Sequence, residues 1–246
     1  MTTIAHSLIR SFAHSLWWYP PILAYHRVHP EASSKTPTVS PEAFERQMAI
    51  LAQRWKPVPL STVMESLKTG KPLPRRAAAI TFDDGTEDNF THAFPILARH
   101  RIPATIFLIA GQIGRPGFLS PDQIRQMVRG GISFGSHGLD HEYLPSLSGP
   151  EMKRTFSESK KLIESLGIPA EFVSYPGGGF TAEAIEAAKA AGYRGGCTTN
   201  RGIRRSPPDP WALRRITMHE QGGSPAGIWL RCCGYYGINR RLRSPS

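Results

Sequence analysis

Cysteine is scarce in these 246 residues: Cys197, Cys232 and Cys233 are the only three. An odd count with two neighbours adjacent builds no disulfide framework, and no Cys-x-x-Cys spacing marks a structural zinc site. The expectation is a reducing compartment. Long apolar runs are missing too. No stretch of about 18 apolar residues occurs, so no membrane-spanning helix is expected. The N-terminal apolar stretch is broken by Arg10 and His14 and lacks a small-residue cleavage site, which argues against a secretory signal. The expected location is therefore cytoplasmic, peripheral at the inner membrane face. Acidic residues are the third shortage: 19 Asp plus Glu stand against 30 Lys plus Arg, for a net charge of +11 and a pI near 10.0. That balance favours an anionic partner, whether membrane surface, nucleic acid or acidic glycan. Nucleic acid has only the charge in its favour, because no recognisable binding motif accompanies it.

What is present reads as one large globular domain, 40% hydrophobic and 20% charged, without repeats. Over residues 1–19, Ile4, Leu8, Phe12 and Leu16 recur four apart, the stripe of an amphipathic helix that would lie under the fold or on a membrane surface. Pro20-Pro21 ends it. Buried strands are expected at 22–26, 77–82, 104–110, 131–136, 171–175 and 193–199, where apolar runs end in polar residues. Between them lie helical patterns: one capped by Ser40 with Phe44, Met48 and Leu51 inward, a shorter one around Val63, Met64 and Leu67, then 87–100, 121–129, 150–166 and 181–191. Strands alternating with helices indicate βαβ units on a parallel sheet or barrel, an α/β fold.

The run Ala77 to Phe82 ends in Asp83-Asp84-Gly85. In mid-strand, neighbouring side chains face opposite ways; at a strand end before a glycine, both carboxylates can reach one pocket. Burying two such charges requires a shared cation or proton, unless the pair is merely an Asp-Gly turn leading into a helix. A second cluster, Ser136-His137-Gly138-Leu139-Asp140-His141, also follows a predicted strand. Two histidines four apart can converge on a metal, or can simply be structural. Joined with Asp84 they make a two-histidine, one-carboxylate site with positions left for water and substrate.

Thr81-Phe82-Asp83-Asp84-Gly85, the His-x-x-x-His pair and Phe172-Val173-Ser174-Tyr175-Pro176-Gly177-Gly178 together resemble the polysaccharide deacetylase family, the NodB-homology esterases. The resemblance runs from about Pro21 to His219. Ile22-Leu23-Ala24-Tyr25-His26-Arg27-Val28 looks like a branch whose catalytic motif is permuted to the N-terminus, a branch that includes deacetylases of poly-N-acetylglucosamine. The resemblance implies a distorted (β/α) barrel of about seven strands, with its site at the strand C-termini. Together with the N-terminal stripe and the C-terminal arginines, this divides the chain into a helix over 1–20, the barrel over 21–222 and a C-terminal segment with a basic tail over 223–246.

By position the resemblance also implies roles. Asp83 would be the general base, and Asp84, His137 and His141 the ligands of a divalent metal, zinc first, with cobalt, nickel or iron as alternatives. Gly177 or Gly178 would offer a backbone N–H to the oxyanion. Pro176 would line the substrate; Tyr175 and Trp211, by their aromatic faces, would either line it too or pack in the core. His26, rather than His219, would be the acid that protonates the departing amine, because a strand-end histidine faces the mouth that Asp83 and His137 share. Three departures stand out. Ser174 sits where many relatives carry an Arg that orients the base, and Arg215, beside Arg214, would replace it. Gly177 sits where many carry an aromatic. Gly138 replaces a Ser or Thr whose hydroxyl could brace the metal loop. The activity implied is removal of N-acetyl groups from an amino-sugar polymer or carrier-linked glycan. An amidase for small non-sugar amides and a non-catalytic glycan or membrane-surface binder are the rivals. Asp83 and Asp84 are too close in sequence to flank a glycosidic bond from opposite faces. Arg201, Arg204, Arg205, Arg214 and Arg215 crowd one region, and Arg240, Arg241 and Arg243 form a basic tail, both suited to an anionic partner.

Overall fold

Apolar runs with little charge can be buried on both faces, and here they form the staves of a parallel barrel. The computed structural model describes residues 20–34, 36–199, 208–220 and 225–232. Its staves in chain order are β1 (Ile22–Tyr25), β2 (Ala77–Phe82), β3 (Ala104–Leu108), β4 (Ser133–Ser136), β5 (Phe172–Ser174), β6 (Gly195–Thr198), β7 (Leu213–Arg214) and β8 (Ile216–Thr217). Every pairing is parallel, and the hydrogen-bonded path runs β7-β6-β5-β4-β3-β2-β1-β8.

The ends of that path are two halves of one stretch. β7 pairs with β6 through Leu213 opposite Cys197, and β8 pairs with β1 through Ile216 opposite Leu23. Only Arg215 lies between them. Its N–H donates to the Thr198 carbonyl (2.8 Å), and the Met218 N–H donates to the Ala24 carbonyl (2.9 Å). Eight short strands thus close as a barrel of seven staves, as expected, with the seam at residue 215.

Alternation along each strand splits the core in two. Ile22, Ala79, Phe107, Phe172, Cys197 and Leu213 pack with Val63 and Met64 of the helix Leu60–Thr69, which plugs the end where the strands begin. Gly195 leaves room for that plug: a Cβ there would meet the Met64 sulfur at 2.9 Å. Leu23, Ile80, Phe82, Ile106 and Val173 face the other way, into the surrounding helices Pro41–Arg54, Phe94–His100, Pro121–Arg129, Gly149–Glu164 and Ala182–Ala190. Ser40 caps the first of these by accepting from the Ala43 N–H (3.2 Å), and Ser120 with Gln123 and Ser148 with Glu151 form capping boxes.

The helix expected over 87–100 differs in one respect. It opens as a π-turn, Asn89–Ala93, before regular helix begins at Phe94. Pro95 lacks the N–H that a regular α ladder would use there, and the register slips by one. Of the C-terminal segment, the helix Pro225–Cys232 is described; its Ile228 and Cys232 join the core around the helix Pro41–Arg54. The amphipathic stripe over 1–19, the arginines at 201, 204 and 205 and the basic tail lie outside the described residues. Among the described residues no helix is long and apolar enough to cross a membrane.

Candidate metal centre and active site

Period two along β2 puts Ala79, Thr81 and Asp83 on the inner face, so Asp83 points into the barrel mouth. Asp84 follows with φ +72°. That left-handed conformation turns the chain and brings a second carboxylate to the side where the first already points. His141, at φ +62°, is bent in the same way. For a residue other than glycine such a backbone costs of order 1 kcal/mol or more, and it persists where its surroundings over-determine it.

Around Asp84 the structure gathers the predicted ligands. His137 Nε2 lies 3.6 Å and His141 Nε2 3.7 Å from Asp84 Oδ1, and one ligand atom from each residue lies within 4.8 Å of the others. His137 Nδ1 donates to the Ser174 carbonyl (2.8 Å), a bond that fixes the tautomer and leaves the Nε2 lone pair facing Asp84. Burial holds the His137 pKa down to about 4 despite the charge of Asp83, so at neutral pH its ring is neutral. Burial pushes the Asp84 carboxyl up to about 6; His26 opposes that rise and the charge of Asp83 adds to it. Asp84 Oδ1 is buried without a hydrogen-bond partner. A neutral imidazole and a buried carboxylate oxygen lacking a donor are what a shared cation would satisfy, and an N₂O donor set suits zinc and similar divalent ions.

Asp83 stands outside that triangle. Both its oxygens accept from Arg215, Nη1 to Oδ1 at 2.8 Å and Nη2 to Oδ2 at 2.7 Å. Burial alone would raise its pKa; the guanidinium, aided by His137, more than offsets this and holds the carboxyl well below the usual range. The same terminal nitrogens also reach Ser174 Oγ (Nη2, 2.6 Å) and Thr81 Oγ1 (Nη1, 3.1 Å), the buried Nε has no hydrogen-bond partner among the described residues, and the guanidinium lies 5.3 Å from the centre of the Phe107 ring. Ser174, small and hydroxylated, makes room for an arginine arriving from the seam. Arg215 is buried, whereas Arg214 is half-buried.

His26 Nε2 lies 3.9 Å from Asp83 Oδ2. Its backbone carbonyl accepts from the Asn89 side chain (2.9 Å) in the π-turn. Asp88 holds the flanking loop by accepting from Arg27 Nε (2.8 Å) and the Val28 N–H (3.2 Å). His219 is exposed, and its carbonyl accepts from Gln47 (3.4 Å).

The expected substrate-lining residues are placed differently. Tyr175 is buried, stacked on Phe180, with its hydroxyl donating to the Trp211 carbonyl (2.8 Å), so its ring belongs to the wall. Trp211 precedes β7 by two residues, level with the beginning of β6, and Lys189 Nζ stands 5.6 Å from its ring centre. That is the end away from the mouth. Aromatic character signalled neither direction, because core and sugar-stacking rings look alike in sequence. Pro176 and Gly177 do lie at the mouth, beside the histidine loop: a Cβ on Gly138 would meet Pro176 Cγ at 3.6 Å. The Gly178 N–H donates to the Tyr175 carbonyl (2.9 Å), so of the two expected oxyanion donors Gly178 is already engaged.

Sequence reading missed the brace under the histidine loop. Thr155 Oγ1 accepts from the Leu139 N–H (3.0 Å) and donates to Glu142 Oε2 (3.1 Å), which also accepts from the Asp140 N–H (3.0 Å). Ser136 Oγ accepts from the Gly138 N–H (3.1 Å) and bonds Ser159 (2.9 Å). Thr155 and Ser159 were detectable as polar residues on the inward stripe of Met152, Phe156 and Ile163. They supply from a helix the hydroxyls that Gly138 lacks.

Two outcomes follow for metal binding. Protonation of Asp84 competes with a cation, so zinc affinity measured by calorimetry should fall below pH ~6, by up to about tenfold per unit. A flat profile between pH 7 and pH 5 would remove Asp84 from the ligand set. Thr155→Val should weaken zinc binding about 10- to 100-fold in competition with a chelating dye, and Thr155→Ser should restore it. Equal affinity in wild type and Thr155→Val would show that the brace is irrelevant to the loop.

Comparison with known proteins places this geometry in context. A family profile described as polysaccharide deacetylase matches residues 70–196. The Bacillus subtilis (strain 168) protein YxkH, named for the same family, is 31% identical over 213 residues, 85% of this chain and 75% of its own. A poly-beta-1,6-N-acetyl-D-glucosamine N-deacetylase of Escherichia coli (strain K12) is 30% identical over 123 residues, 49% of this chain but only 17% of that protein's length. The structure of the Streptococcus pyogenes deacetylase PplD in complex with acetate superposes with a TM-score of 0.80 at 25% identity, covering 87% of this chain and 97% of that one. Matched over more than half its length by the profile, and over most of it by YxkH, the chain belongs to the polysaccharide deacetylase family.

Proposed function

We propose that the protein is a metal-dependent hydrolase that removes N-acetyl groups from N-acetylglucosamine units of a polysaccharide or carrier-linked glycan. The observation that carries this is the pairing of an unprotonated, Arg-held carboxylate, Asp83, with a separate Asp84–His137–His141 ligand triangle. The names of the E. coli relative and of PplD, both deacetylases, support the reaction class.

Asp84, His137 and His141 would hold the divalent ion, zinc by its donor set. When bound, the ion lowers the pKa of water toward ~7 and polarises the acetamide carbonyl. Asp83 takes the proton from the attacking water; Arg215 fixes the direction of its carboxylate at some cost in basicity. The Gly177 N–H receives the negative charge that develops on the carbonyl oxygen. As the carbon–nitrogen bond breaks, His26 gives its proton to the amine, and acetate and a free amino sugar leave.

Zinc-reconstituted protein incubated with acetylated glycans and with small cyclic and linear amides should release acetate and new amines from the glycans. Release from the small amides alone would replace this reading with the amidase. Asp83→Asn and His26→Gln should each keep zinc and lose about 100-fold or more in turnover, and His219→Ala little. Near-normal turnover in Asp83→Asn would end its role as base; activity surviving at His26 but lost at His219 would transfer the acid.

The excess of positive charge and the stripe over 1–19 support action at an anionic membrane surface. Flotation with anionic liposomes should recover the protein at low salt and much less at high salt. Equal recovery with neutral liposomes would sink that location.

A further inference from the structure

Three large hydrophobic side chains stand exposed among the described residues: Val128, Tyr143 and Leu162. Val128 and Leu162 lie on helices Pro121–Arg129 and Gly149–Glu164. Tyr143 follows the ligand His141 by two residues and is 56% exposed. Its base is anchored. Leu144 beside it is fully buried, and the Tyr143 carbonyl accepts from the Ser146 N–H (3.0 Å) and hydroxyl (2.7 Å).

The ring rests on the turn after β5. A Cβ on Gly177 would lie 3.5 Å from Tyr143 Cδ2, and one on Gly179 would lie 2.8 Å from Cζ and Oη. Gly179 has φ −82° and ψ 135°, a backbone any residue adopts, so its glycine gives space to the ring rather than freedom to the chain. The ring thus lies on a shelf of backbone next to Pro176, which packs on the histidine loop, and its free surface is open to solvent at the mouth.

An aromatic face fixed on one side and open on the other complements the C–H face of a pyranose, and a tyrosine has little rotamer freedom to lose on contact. We propose that Tyr143, on the shelf of Gly177 and Gly179, is the stacking platform for a sugar ring neighbouring the unit that is deacetylated, and so sets a preference for oligomers over the monosaccharide. This rests on the deacetylase reading. It also fills with a different side chain the sugar-lining role that Tyr175 and Trp211, by their placement, do not fill.

The test uses the zinc-loaded full chain and β-1,6-linked N-acetylglucosamine as monomer and pentamer. In Tyr143→Ala the pentamer-to-monomer ratio of kcat/KM should fall about tenfold, through a higher KM for the pentamer, with kcat changed less than about twofold. Tyr143→Phe and Tyr143→Trp should keep the ratio within about threefold. An unaltered ratio in Tyr143→Ala overturns the platform, as does a Phe variant as poor as the Ala variant, which would assign the effect to the hydroxyl. Zinc content equal to wild type shows that the histidine loop is intact. Calorimetric binding of the pentamer separates the two levels. If wild type releases no acetate from either sugar, the deacetylase reading fails, and equal pentamer affinities of wild type and Tyr143→Ala would then overturn the platform on their own.

Discussion

Much of this structure depends on one buried ion pair. Asp83 and Arg215 are both out of solvent and are joined by two parallel hydrogen bonds. Leaving either alone in that environment would cost on the order of 3–5 kcal/mol, far more than a surface pair contributes. The pair also sits where the barrel closes, because Arg215 is the residue between the half-strand that joins β6 and the half-strand that joins β1. Closure of the fold and orientation of the carboxylate are therefore one event. A chain that failed to bring residues 213–217 between β6 and β1 would lose both.

Around the pair, local strain does the positioning. Among the described residues four other than glycine have positive φ, and two of them, Asp84 and His141, are metal-ligand candidates. The other two, Arg76 and Arg101, sit in turns, Arg101 as the left-handed cap of a helix. The contrast separates a turn from a site. At Asp84 and His141 the unfavourable backbone aims side chains at a common point, and the hydroxyls of Thr155 and Ser136 with the carboxylate of Glu142 hold the loop in place. Preorganisation of this kind costs stability where it occurs and is supported by the packed helix Gly149–Glu164 beneath it.

The strands were legible because residues buried on both faces leave continuous apolar runs, as in Ala77 to Phe82. His137, His141, Asp83 and Asp84 were legible because each follows such a run. The less legible parts are those made by partners distant in sequence. Asp83 and Arg215 are 132 residues apart, and what physically separates Arg215 from Arg214 is that Leu213 and Arg215, two apart, share the inner face. Thr155 lies 16 residues from the Leu139 N–H it braces. Tyr175 and Trp211 were assigned to the sugar on aromatic character alone, whereas the pleat turns one into the wall and the strand register puts the other at the wrong end. Tyr143 was passed over because its relevance comes from Gly177 and Gly179, over thirty positions away.

The two ends of the barrel differ in a way that bears on substrate size. A cavity of about 470 Å³ opens beside the plug helix, lined by residues including Met64, Lys68, Lys71, Phe172 and Arg194. It lies where strands begin, and Arg194 there is already paired with Glu171. Concavity alone would favour that end, but chemistry in parallel barrels belongs to the strand C-termini, and the convergent carboxylates and histidines are there. At that mouth His141 is 46% exposed in its side chain and Tyr143 is more open still. Asp83 and His137 are buried at its floor, and only the rim is open. Under the proposed deacetylase reading, a buried floor with an open rim would admit a chain lying across the opening, with one unit over the candidate metal ligands and its neighbours against the rim.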